Sequence, residues 1–181
     1  MEITYDPDEV IQKILKEHPR IIGIDGVDGA GKTTIAKRIG KHSYHRISLD
    51  SYLRKNKDGY FKFLKIENLK KDLYNFKNEP VIIEGILLLK VLEAANINLN
   101  YFIYVDDNTW LDDWLEEYGG RYYNKQLDEI IAEEEKMVNR VVQVTDPGSK
   151  EYKMEGFRKE MFEYSFEYKP WKKADIILRM R

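Results

Sequence analysis

Eight consecutive residues constrain this chain more than any others. Gly26-Val27-Asp28-Gly29-Ala30-Gly31-Lys32-Thr33 satisfies G-x-x-x-x-G-K-[ST] at every fixed position. Glycines at these spacings let the backbone curl so that successive N–H groups converge on one anion. The stretch Arg20-Ile21-Ile22-Gly23-Ile24-Asp25 before the loop reads as a buried strand, and Lys32 to Lys41 after it reads as a helix. That helix presents the positive end of its dipole to the same anion. Strand, glycine loop and helix together make a phosphate-binding loop, or P-loop. Gly26, Asp28, Gly29, Ala30, Gly31, Lys32, Thr33 and Thr34 are its expected nucleotide-binding residues. Lys32 reaches the β- and γ-phosphates, and the Thr33 hydroxyl is a ligand for Mg²⁺.

The rest of the chain alternates between the two periodicities. Asp6-Pro7-Asp8-Glu9 reads as a helix start, with Asp6 as N-cap and Pro7 at the first helical position; His18-Pro19 ends that helix. Strands are expected at His45–Leu49, Val81–Ile83, Tyr101–Val105 and Ala174–Leu178. Helices are expected at Glu67–Phe76, Leu87–Ala95, 108–118, 125–143 and 154–168, while 51–65 reads as loop. This alternation predicts an α/β fold in which a five-stranded, mainly parallel sheet is flanked by helices. The 181 residues suit one domain, 1–181, with a helical lid over approximately 108–150. Ligands of such sheets bind beyond the carboxyl ends of the strands, here 25–34, 50–54, 84–86 and 106–107.

Two carboxylates fall at those ends. Asp50 follows the strand His45–Leu49 and is positioned to orient an acceptor hydroxyl and take its proton in phosphoryl transfer. The competing reading is a helix N-cap or a turn aspartate. Glu84 ends the apolar run Val81-Ile82-Ile83, the Walker B type of arrangement in which a carboxylate holds Mg²⁺ directly or through water. The competing reading is a structural salt bridge, for instance to Lys32. Tyr52, Tyr60, Phe61 and Phe63 follow Asp50, where a planar group could stack or the rings could simply pack. Trp110 and Trp114, four apart, read as a core stripe, and Arg121 with Tyr122-Tyr123 as either a substrate cover or a lid anchor.

Several classes are disfavoured. Thirty basic and 32 acidic residues leave a net charge of −2, so no global field favours nucleic acid or an anionic membrane as partner. The longest apolar run, Val81 to Leu89, is nine residues and too short to span a bilayer. With no cysteine and no basic, apolar leader at the start of the sequence, a soluble cytoplasmic protein is expected. His18, His42 and His45 lack metal-ligand spacing. Asn56-Lys57-Asp58 lacks the spacing of the guanine-reading N-K-x-D element, which argues against a GTPase.

Read in order, Ile22 through Thr34, Ser48-Leu49-Asp50-Ser51-Tyr52, Ile83-Glu84-Gly85-Ile86 and Lys173-Ala174-Asp175-Ile176-Ile177 resemble the uridine kinase family of P-loop kinases. The resemblance spans most of the chain. It implies the P-loop kinase fold, ATP as co-substrate, Mg²⁺, and transfer of the γ-phosphoryl group to a hydroxyl of a nucleoside or similar small molecule. It assigns Asp50 as the base contacting the acceptor and Glu84 as a Mg²⁺ holder, and the strand Ala174–Ile177 that closes the sheet makes Asp175 structural. Beside these, Lys32 of the loop is expected to be catalytic, Tyr52 to meet the substrate, and Arg121 and Arg140 to serve in the lid. The chain departs from the pattern in the lid, where 106–150 hold only those two arginines beside an acidic Glu133-Glu134-Glu135, and at Ser51, where a second aspartate is usual. Two other readings stand beside it. One is a nucleoside monophosphate kinase of thymidylate kinase type. The other is a nucleotide-binding regulator without transfer activity.

Overall fold

In the computed structural model, which describes residues 2–54, 59–107 and 109–180, a six-stranded sheet forms the centre of the molecule. Asn56-Lys57-Asp58 lies outside the described residues. The strands are β1 (Glu2–Thr4), β2 (Ile21–Gly26), β3 (His45–Ser48), β4 (Val81–Glu84), β5 (Tyr101–Asp106) and β6 (Ile176–Arg179). Their order across the sheet is β1-β6-β5-β2-β4-β3, and every pairing is parallel. All six residues of β2 and of β5 are buried, as expected of parallel strands covered on both faces. The helices are α1 (Pro7–Glu17), α2 (Lys32–Gly40), α3 (Ile66–Asn75), α4 (Leu88–Ala95), α5 (Leu127–Thr145), α6 (Gly156–Tyr168) and the short α7 (Pro170–Lys173). Among the described residues, no helix is long and apolar enough to cross a membrane.

Local chemistry sets these boundaries. Asp6 caps α1 by accepting from the Asp8 N–H at 2.8 Å, Pro7 stands at its first position, and His18 closes it in the left-handed region. Val10, Ile11 and Ile14 face the core. At the end of β2, Gly26 has φ +146°, and a β-carbon there would come within 2.1 Å of the Val105 carbonyl oxygen of β5. Only glycine lets the P-loop leave the sheet this close to its neighbour.

Two expectations need correcting. The sheet has six strands, not five, because Glu2–Thr4 pairs with Ile176–Leu178 at its edge. The stretch 108–118 is not a helix where it is described; it holds two short 3₁₀ turns, Asp112–Trp114 and Glu116–Tyr118. The chain reverses at Gly119-Gly120 and returns alongside itself, with Tyr122 N–H donating to the Asp113 carbonyl at 2.7 Å. A continuing helix would have carried it away from that contact. The two tryptophans of the stretch do meet the core, Trp114 buried in it and Trp110 packed against it. Trp110 meets Phe162 at 4.9 Å, and Trp114 meets Tyr122 at 5.1 Å and Trp171 at 5.5 Å between ring centroids. This cluster fixes 110–122 against α6 and α7.

Candidate active site

β2 is central, and consecutive strands depart from it to both sides, with β4 and β3 on one flank and β5, β6 and β1 on the other. Such a switch point opens a crevice beyond the strands' carboxyl ends. A cleft of about 290 Å³ lies there, lined by Asp28, Gly29, Gly31, Lys32, Thr33, Asp50, Glu84, Gly85 and Ile86. The fold thus brings the loop, Asp50 in the turn after β3 and Glu84 ending β4 to one place. A larger hollow of about 760 Å³ lies between 114–126 and 166–172, and none of the residues expected to bind nucleotide or carry catalysis lines it.

Each side chain of the cleft is held by its element. Gly31, at φ +97°, turns the loop into α2, whose first N–H groups have no helical carbonyl to bond. Lys32 is buried, and its ammonium donates to the Val27 carbonyl at 2.5 Å. Burial pushes this ammonium's pKa down, while the carboxylates of Asp25, Asp28, Glu84 and Asp50 oppose that shift. Glu84 is 2% exposed and accepts from the Thr33 hydroxyl at 3.2 Å and from the Arg46 guanidinium at 3.2 Å. Its ion-pair partner is therefore Arg46, not Lys32.

The Thr33 hydroxyl and the Glu84 carboxylate form a hard-oxygen pair at the cleft wall, the donor type that Mg²⁺ takes. Among the described residues, no cluster of three or more His, Cys, Asp or Glu is arranged to hold a metal ion. An ion held here would draw its remaining ligands from phosphate and water, the usual habit of Mg²⁺.

Asp50 lies in a 3₁₀ turn, Leu49–Tyr52, whose preceding position is occupied by Ser48. The Asp50 Oδ1 accepts from the Tyr60 hydroxyl at 2.9 Å, an interaction that sequence spacing did not single out. Tyr52 is placed apart from Asp50's cleft. Its hydroxyl donates to Asp72 at 2.7 Å, and it lines a separate hollow with Arg46, Ser48 and Phe76. Neither lid arginine lines the cleft. Arg121 grips Asp113 in bidentate fashion at 2.9 and 2.7 Å and reaches Glu134 of α5 at 3.3 Å, so its guanidinium ties the turn at 113–121 to α5. Arg140 is exposed on α5. At the other strand ends, Asp106 accepts from Leu111 N–H and Arg179, and Asp175 accepts from Phe102 N–H at 2.7 Å.

Beneath the loop, Asp25 is 1% exposed. It accepts from Gly26 N–H at 2.8 Å and from the Tyr164 hydroxyl, while Tyr164 in turn accepts from Leu89 N–H. Burial raises the Asp25 carboxyl from 3.8 to about 6, against the opposing pull of Tyr164, Gly26 and Lys32. The folded protein therefore takes up this proton before the unfolded chain does. The group's contribution to stability is greatest below pH 3.8, declines as pH rises, and is lowest above about 6. A shift of about two units corresponds to about 3 kcal/mol. The stability of the wild type minus that of Asp25→Asn should fall by about 2 kcal/mol between about pH 4 and pH 6.5. Urea unfolding across that range measures it. A difference that is flat, or that rises with pH, contradicts the buried-carboxyl account.

No known family profile matches this sequence, and no curated protein sequence is similar to it. Among solved structures, the chain is similar to one described as a possible uridine kinase from Bacillus stearothermophilus. The two share 13% sequence identity, the alignment covers 95% of this chain and 96% of that one, and the TM-score is 0.53. The six-stranded parallel sheet, its flanking helices and the loop after β2 together give this chain the P-loop kinase fold.

Proposed function

We propose that this protein is an ATP-dependent phosphotransferase that moves the γ-phosphoryl group to a hydroxyl of a small, uncharged acceptor of the nucleoside type. The observation that carries the reading is the convergence of Lys32, Thr33, Asp50 and Glu84 on one cleft at the sheet's switch point. A loop kept only for nucleotide binding would not require a carboxylate after β3 as well as one ending β4.

The chain's own groups divide the work. Loop N–H groups and the start of α2 cradle the phosphates, and Lys32 places positive charge on the oxygens where charge builds up during transfer. Thr33 and Glu84 would hold Mg²⁺, which when bound neutralises charge on the β- and γ-phosphates. Asp50 orients the acceptor hydroxyl. A bond forms between the acceptor oxygen and the γ-phosphorus as the bond from that phosphorus to the β,γ-bridging oxygen breaks. ADP departs, and the hydroxyl proton passes to Asp50.

The cleft's charge favours an uncharged acceptor over a nucleoside monophosphate. Among the described residues its lining carries three carboxylates, Asp28, Asp50 and Glu84, against one ammonium, Lys32. Lys32 is committed to ATP, which leaves, among the described residues of the lining, no cation to grip an acceptor phosphate. A panel of nucleosides, nucleoside monophosphates and vitamins, scored for acceptor-dependent ADP release, tests the reading. ADP release should accelerate with an unphosphorylated hydroxyl compound. Acceleration only by monophosphates would replace this reading with the monophosphate kinase one, and no acceleration by any compound would leave a nucleotide-binding regulator.

A further inference from the structure

We propose that Tyr60 is a positioning residue for the Asp50 carboxylate and that Glu160 anchors Tyr60 in place. The inference rests on the reading of Asp50 as the base.

Tyr60 is 4% exposed and reaches back over ten residues to donate its hydroxyl to Asp50 Oδ1 at 2.9 Å. Asp50 itself belongs to a short 3₁₀ turn and is exposed, so its own backbone does little to fix the carboxylate. The phenol supplies what the turn does not. With Oδ1 engaged by Tyr60, Oδ2 is left to receive an acceptor hydroxyl. Burial first, and then the negative charge of Asp50, push the Tyr60 phenol well above its ordinary value, so it remains a neutral donor throughout the working pH range.

Three sets of contacts hold the phenol there. Lys65 N–H donates to the Tyr52 carbonyl at 3.0 Å and Arg54 N–H to the Phe63 carbonyl at 3.1 Å, folding 60–65 back along 52–54. The Tyr60 ring lies against Phe157 of α6, 6.0 Å between centroids. The Glu160 Oε2, also on α6, accepts from both Tyr60 N–H and Phe61 N–H at 2.9 Å. Hydrogen bonds to an ionised acceptor are the stronger kind, and two of them on one oxygen pin the backbone that carries the phenol. Gly59 makes the approach possible: its φ is +108°, and a β-carbon there would lie 2.9 Å from Glu160 Oε1. α6 therefore reaches Asp50 through Glu160 and Tyr60.

The test is a double-substitution cycle on transfer, using ATP, Mg²⁺ and the acceptor identified by the panel above. Tyr60→Phe keeps the ring and removes only the donor, so melting temperature and KM for ATP should stay near wild type while kcat falls about tenfold. Glu160→Ala should lower kcat in the same direction. In an Asp50→Asn background, Tyr60→Phe should cause little further loss, because the group it positions is already gone. A kcat unchanged by Tyr60→Phe, or a loss of equal size in both backgrounds, overturns the inference while leaving the kinase reading intact. Wild-type protein inert with the whole panel removes the base from Asp50 and the inference with it.

Discussion

Replacing Lys32 with alanine should cut phosphoryl transfer by at least 10²–10³-fold, the scale on which a single preorganised donor to developing charge acts. The protein should stay folded. Lys32 is buried and its pKa is pushed down by that burial, so the substitution removes a group that costs free energy to keep charged. Its ammonium donates to the Val27 carbonyl, which lies in the loop between β2 and α2 rather than inside a strand or helix. The same variant should lose most of the rise in melting temperature that ATP with Mg²⁺ produces in the wild type, since ligand stabilisation follows affinity for the folded state. Wild-type turnover by the purified variant would remove Lys32, and with it the P-loop, from the chemistry.

Asp50→Asn should lose about 10²–10⁴ in turnover while ATP affinity stays nearly unchanged. Asparagine preserves size and can still accept from Tyr60, but it neither takes a proton nor carries the charge that orients the acceptor. The N-cap alternative makes a different forecast, because asparagine caps as well as aspartate and the variant would then behave like wild type. The structure bears on the choice: Ser48 stands at the position preceding the turn, and the Asp50 carboxylate accepts from a side-chain hydroxyl, Tyr60. A stable variant with intact ATP binding and full turnover would return Asp50 to a structural role.

What could be read from the sequence depended on whether a feature was local. The loop from Gly26 to Thr33, the capped start of α1 and the apolar runs of β2, β4 and β5 are each specified by adjacent residues, and the structure has them where the sequence put them. Glu84 was legible for the same reason, since a charge at the end of an apolar run marks a strand's exit, and Asp50 because it follows a short strand expected at His45–Leu49. β1 was not. Glu2-Ile3-Thr4 is three residues long and has no periodicity of its own, and it is a strand only because β6, some 170 residues away, offers an edge. The 108–118 stretch misled because Trp110 and Trp114 have helical spacing, whereas Phe162 and Trp171 decide where those rings go. Around the candidate site the same limit applies. Tyr52 lies nearer Asp50 in sequence, yet Tyr60 meets it, because the chain folds back over 60–65 and α6 holds it there. The Arg46–Glu84 pair depends on the adjacency of β3 and β4, which no local pattern specifies.

The central claim is that this cleft transfers the γ-phosphoryl group of ATP to an acceptor hydroxyl. The most direct measurement follows that group itself, with ATP labelled in the γ-phosphoryl group, Mg²⁺ and the acceptor panel incubated with wild-type protein and with Asp50→Asn. The account predicts label in one unphosphorylated hydroxyl compound with the wild type, and at least a hundredfold less with Asp50→Asn. Label released only as inorganic phosphate, or transferred equally well by both proteins, would contradict it.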